Sequence, residues 1–220
     1  MDQLVELLQD NNVENFEIIT HIESDASIPD LWKQIIVENN ETAKVELVKK
    51  YWLLFKDKLP KTYVLINDHL KNAVVIKDGE GYKLVYIIEI DDFDSVYVGL
   101  VPTQTGPFLD LLPDDIAAFY KTIHNGWYEN ISGGLGFLPL EKMSYLSEHE
   151  WGILDEIEKP PFDLSDVFYI FHNAGPGYLC IDVTNKKDVK YLIFWTDRKP
   201  KLGIDFWSFM DSWIEIGLTN

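Results

Sequence analysis

The side chains of this chain that could act on a substrate are five histidines and one cysteine, set among 37 carboxylates. His21, His69, His124, His149 and His172 stand apart: none is paired at HxH or HxxxH spacing, and none adjoins a second ligand in the pattern of a zinc site. One cysteine can neither close an internal disulfide nor assemble a cysteine-based metal centre. No metal and no cofactor is expected. His124 ends an amphipathic helix, where the helix dipole alone accounts for an imidazole. Cys180 and His172 would meet across the Ala174–Gly177 hairpin as a nucleophile and base. Cys180, however, lies between Leu179 and Ile181 in an apolar strand, and buried cysteines are inert packing residues. Paired carboxylates would suit glycoside hydrolysis, yet their abundance singles out no two of them. Ser132-Gly133-Gly134-Leu135-Gly136 lacks both the Lys-Ser/Thr and the following helix of a phosphate loop, so it reads as a tight turn. An enzyme would have to use His172 with acidic neighbours in a deep pocket of perturbed ionisable groups. The expectation is a protein with no catalytic residue.

Charge points instead to binding. The 37 acids oppose 19 basic residues for a net charge of -18, and Arg198 is the one arginine. A nucleic-acid binder shows the opposite sign, so nucleic acid and anionic membrane are excluded as direct partners and a basic protein is favoured. The acids cluster. No basic residue lies between Lys83 and Lys121, and a second acidic run is Glu148, Glu150, Asp155, Glu156, Glu158, Asp163 and Asp166, relieved by Lys159 alone. Tyr145 and Trp151 fall within this second run, and a mixture of aromatics and charges is what interfaces prefer.

The elements that hold these groups follow from periodicity. Pro113 suits a first helical position, Asp114 and Asp115 face the positive dipole end, and Ile116, Phe119, Tyr120 and Ile123 share one face before Asn125-Gly126 stops the helix. The glycine-rich turn then brings the backbone back against it. Residues 1–60 read as helical: Leu4, Leu7 and Leu8 first, then Leu31, Trp32, Ile35 and Ile36 after Pro29-Asp30. A third helix, from about Glu41 to Lys56, carries Val45, Val48, Trp52 and Phe55 and ends at Leu59-Pro60. Tyr63–Ile66 and Ala73–Ile76 read as short strands. Lys77–Gly81 is a hairpin turn into Tyr82–Ile90, and Ser95–Val101 is the next strand. A charged connector, 141–166, precedes strands Val167–His172, Tyr178–Val183 and Val189–Trp195. Asp205 caps a final helix with Phe206, Phe209, Met210, Trp213 and Ile214 inward. Strand runs punctuated by helices predict an α+β fold, an antiparallel or mixed central sheet with helices packed on it. The N-terminus lacks the basic and apolar regions of a signal peptide, and no apolar run approaches the ~18 residues of a membrane span, so a cytoplasmic location is expected.

These residues also carry a family likeness. Leu112-Pro113-Asp114-Asp115, then Phe119-Tyr120, then His124-Asn125-Gly126-Trp127 resembles the LP-acidic, F-(Y/L), (H)NG signature of the SUKH superfamily. Gly136–Leu140 with Met143, Trp151–Leu154, the Phe168–Val183 hairpin, Trp195-Thr196-Asp197 and Asp205-Phe206-Trp207 are similar in order and spacing. The resemblance covers 107–220, leaving 1–106 as an N-terminal helical and hairpin extension. It departs from the family before Leu112, where a helix is usual and Ser95–Thr105 reads as strand and loop. Members of the superfamily are mostly bacterial immunity proteins that neutralise polymorphic toxins, and they include fungal regulators of cell-wall synthesis. The resemblance therefore implies an immunity protein whose acidic face occludes a cognate toxin domain, such as a basic nuclease. The alternative is a regulatory scaffold without a toxin partner. Candidate partner-binding residues are Trp127, Tyr128 and Glu129 at the helix exit, and Glu148, Glu150, Trp151, Asp155 and Glu156 in the connector.

Overall fold

The computed structural model describes residues 2–22, 27–155 and 160–219. Among these the α+β class is realised as two five-stranded antiparallel sheets with six α-helices. The first sheet runs β1 (Glu17–Ile18), β2 (Leu70–Asp78), β3 (Gly81–Ile90), β4 (Phe93–Leu100) and β5 (Trp127–Glu129) in that order. The second runs β10 (Lys201–Leu202), β9 (Lys190–Trp195), β8 (Gly177–Asp182), β7 (Val167–His172) and β6 (Ser144–Tyr145).

Strand alternation explains how each sheet is covered on both faces. Leu84, Tyr86 and Ile88 of β3 enter the main core, whereas Val85 joins a separate apolar layer with Val74, Ile76, Val96, Val98 and Tyr128. Helix α1 (Asp2–Asp10) closes that layer with Leu4 and the fully buried Leu8. In the second sheet Phe168, Ile170 and Phe171 all reach the main core, because a register shift between Tyr169 and Phe171 breaks the alternation. The opposite face, with Val167, Cys180, Leu192 and Phe194, is roofed by connector residues including Leu146 and Ile153.

Helices α2 (Asp30–Val37) and α3 (Glu41–Trp52) bury Trp32, Ile35, Ile36, Val48 and Trp52, as their spacing predicts. The stretch Tyr63–Ile66, expected as a strand, lies instead within α4 (Pro60–His69). Pro60 sits at the helix start, where a missing N–H costs nothing. The remaining orphan donors are met from far away. The buried carboxylate of Asp211, in α6 (Phe206–Thr219), accepts from Lys61 N at 3.0 Å and from Thr62 N and Oγ1 at 2.8 Å each. Nothing local in the sequence announces this cap.

Helix α5 (Asp114–Thr122) buries Ile116, Phe119 and Tyr120, and Phe137 returns from the glycine-rich turn to stack on Phe119 at 4.0 Å. The division expected at 106/107 does not separate two cores. One apolar cluster runs from Ile28 through Tyr86, Phe119 and Phe168 to Leu218, and β5 completes a sheet built from the first half. No helix among the described residues is long and apolar enough to cross a membrane.

Candidate functional site

At the helix exit the structure corrects the expectation. Trp127 and Tyr128 are core residues and offer no partner surface. Asn125-Gly126 turns the chain, with Gly126 at φ +87°, straight into β5, which pairs with β4. Trp127 is thereby fully buried, stacked 4.3 Å from Tyr97 and edge-on to Trp52 at 4.7 Å. Tyr128 points to the opposite face, into the layer beneath α1. Glu129 serves the turn, its carboxylate accepting from Ile131 N at 2.8 Å and Ser132 N at 2.7 Å.

The histidines resolve separately. His124 is fully buried, and the helix dipole does not account for it, since a dipole would favour the charged form. Burial pushes its pKa from 6.5 down to about 3, against the weaker effect of its bond to Leu100 O. Its Nδ1–H donates to that carbonyl at 3.1 Å, and Nε2 accepts from the Tyr86 hydroxyl at 2.5 Å, which in turn accepts from Trp52 Nε1 at 3.2 Å. His172 does not face Cys180, because register pairs it with Tyr178 and pairs Cys180 with Tyr169. Its Nε2–H donates to Gly133 O at 3.1 Å and its Nδ1 accepts from Ala174 N, and burial holds its pKa down. It fastens the glycine-rich turn. Cys180 is fully buried under the connector, and burial pushes its thiol pKa far up.

The connector keeps its acids and aromatics at the surface. Short 3-10 turns at Leu146–Glu148 and Gly152–Asp155 fold it over the second sheet, with Leu146 and Ile153 as its buried underside. Half-buried Trp151 is fixed by a 2.6 Å hydrogen bond from Nε1 to Leu146 O and by edge contacts to Phe194 at 4.8 Å and Tyr178 at 5.2 Å. Tyr178 meets Tyr169 at 5.1 Å, Tyr169 meets His149 at 5.7 Å, and His149 returns to Trp151 at 5.4 Å. The four rings form a closed, partly exposed cluster.

Exposed Glu148 lies beside it, accepting from Ser144 Oγ at 2.5 Å, while His149 Nε2 lies 2.9 Å from the same Oγ. The same imidazole nitrogen lies 3.4 Å from the Tyr169 hydroxyl, so Ser144, Glu148, His149 and Tyr169 form one polar network at the edge of the cluster. Burial, then Asp166 and Glu148, raise the Tyr145 phenol pKa. Burial, then Tyr178 and more weakly Glu148, raise that of Tyr169. The local field is negative. Glu150 and Asp155 are exposed on the same connector, and Glu156 lies outside the described residues. Further along this face an open groove of about 850 Å³ is bounded by Leu154, Phe162, Asp163, Asp182 and Lys190. Among the described residues no three histidine, cysteine or carboxylate side chains come together to hold a metal ion.

Comparison with family models, curated proteins and solved structures finds no match to this chain.

Proposed function

We propose that this chain is a cytoplasmic immunity protein of the SUKH kind, which binds a cognate toxin domain and neutralises it by covering it, with no reaction of its own. The contact surface is the connector face bearing Glu148, Glu150, Trp151 and Asp155. The observation that carries this reading is that connector: acids project from a segment whose aromatic residues are braced at the surface, in a chain of net charge -18. Fixed aromatics supply contact area at low entropic cost, and the surrounding carboxylates speed encounter with a basic partner and reject acidic ones. The Leu112–Trp127 motif order supports the family assignment, independently of the surface.

The test is co-expression with the toxic product of the adjacent gene. Reversing Glu148, Glu150 and Asp155 to lysine is expected to weaken the complex by about 2–5 kcal/mol, if their charges meet desolvated cations, and to abolish growth rescue. Unchanged binding and rescue would remove this surface from the function.

A further inference from the structure

Within that contact face, we infer that the His149–Trp151–Tyr169–Tyr178 cluster is the seat of an arginine side chain contributed by the partner, with Glu148 as its counter-charge. The inference rests on the partner-binding reading of the connector and adds the chemistry of the anchor. Each of the four rings is partly exposed, and the cluster holds them in mutual contact at 5.1–5.7 Å, so no side chain must be ordered when a ligand arrives. Aromatic faces attract cations through their quadrupole. A planar, weakly hydrated guanidinium stacks on such a surface while donating to a carboxylate, which a compact and strongly hydrated ammonium does less well.

The chain builds this arrangement with its own arginine. The Arg198 guanidinium lies 4.8 Å from the Trp195 ring centre and donates to both oxygens of Asp197 at 2.8 Å. At the connector the rings and the carboxylate are present, and no described cation lies with them. Among the described residues six lysine or arginine groups sit over aromatic rings, none of them in this cluster. Nor does any described cation pair with Glu148, Glu150 or Asp155, in contrast to Asp78, Glu80, Glu89, Asp115 and Glu215. Those five acids, two exposed and three half-buried, are each paired with a lysine.

The experiment titrates the full chain, at about 0.15 M salt to screen long-range attraction, with hexa-arginine amide and separately with hexa-lysine amide. Calorimetry gives the affinity, and the Trp151 indole N–H resonance gives the location. The expected result is a saturable shift of that resonance, with hexa-arginine at least about fivefold tighter than hexa-lysine. E148K should weaken hexa-arginine about tenfold or more, whereas E6K on α1, an equal change of net charge, should alter it less than about twofold. Equal weakening by the two variants, an unmoved Trp151 resonance, or equal affinity for the two peptides would each overturn the inference. No toxin is needed, so the two readings fail separately. Lost peptide binding with intact protection of toxin-expressing cells removes the arginine seat alone, and lost protection with the peptide still seated at Trp151 removes the immunity role alone.

Discussion

His124 makes a quantitative prediction about acid stability. In the native state its imidazole is sealed between Tyr86 and the Leu100 carbonyl, and burial holds its pKa at about 3 against 6.5 in an exposed chain. A base whose native pKa is depressed stabilises the fold fully above its unfolded pKa. That stabilisation is lost as the pH falls from about 6.5 toward 3, because the unfolded state takes up a proton the native state refuses. At about 1.4 kcal/mol for each pH unit below the unfolded pKa, this group alone removes about 2 kcal/mol at pH 5 relative to pH 7.5. H124Q is the comparison, since its amide can accept from Tyr86 and donate to Leu100 O but does not titrate. Urea unfolding followed by tryptophan fluorescence at both pH values should show wild type losing about 2 kcal/mol more than H124Q. The contribution of His172, also depressed by burial, is common to both proteins and cancels. Parallel loss in the two proteins would refute the claim that a neutral, sealed imidazole sits in this core.

Three further outcomes are expected. D211A strands the Lys61 and Thr62 amides and the Thr62 hydroxyl, and should cost about 2–4 kcal/mol in urea or thermal unfolding. G99A would place a methyl group 2.5 Å from the His124 ring and should cost about 1–3 kcal/mol, with the pH-dependent increment of wild type reduced. Cys180 should resist a thiol reagent such as dithionitrobenzoate in native buffer and react at once in denaturant; fast native labelling would mean that the connector does not cover β8 as described.

Periodicity made much of the fold legible. The faces of α2, α3, α5 and α6, the Asp78–Gly81 hairpin and the three long strands of the second sheet are where spacing puts them. Non-local chemistry was illegible. Tyr63–Ile66 is an apolar run that suits helix or strand equally, and the carboxylate that decides for helix lies in α6. Trp127 and Tyr128 looked available because they follow a helix stop, yet β5 is three residues long, too short to show a strand pattern, and pairing with β4 buries both rings. In the connector Glu148, Glu150, Trp151 and Asp155 were legible as an acidic and aromatic surface. Tyr169 and Tyr178 completed it unannounced, because only the register of β7 against β8 brings them beside Trp151.

The Asp211 clasp on α4 also constrains biosynthesis. A ribosome exposes residues 60–69 well before it has made the helix that completes their start, whereas β2, which follows α4 directly, pairs with the next strand, β3. The Lys61 and Thr62 amides therefore stay without their carboxylate partner until α6 has been made. Deletion of α6 should send the polypeptide to proteolysis, while deletion of α1 strips only the cover from the outer face of the first sheet.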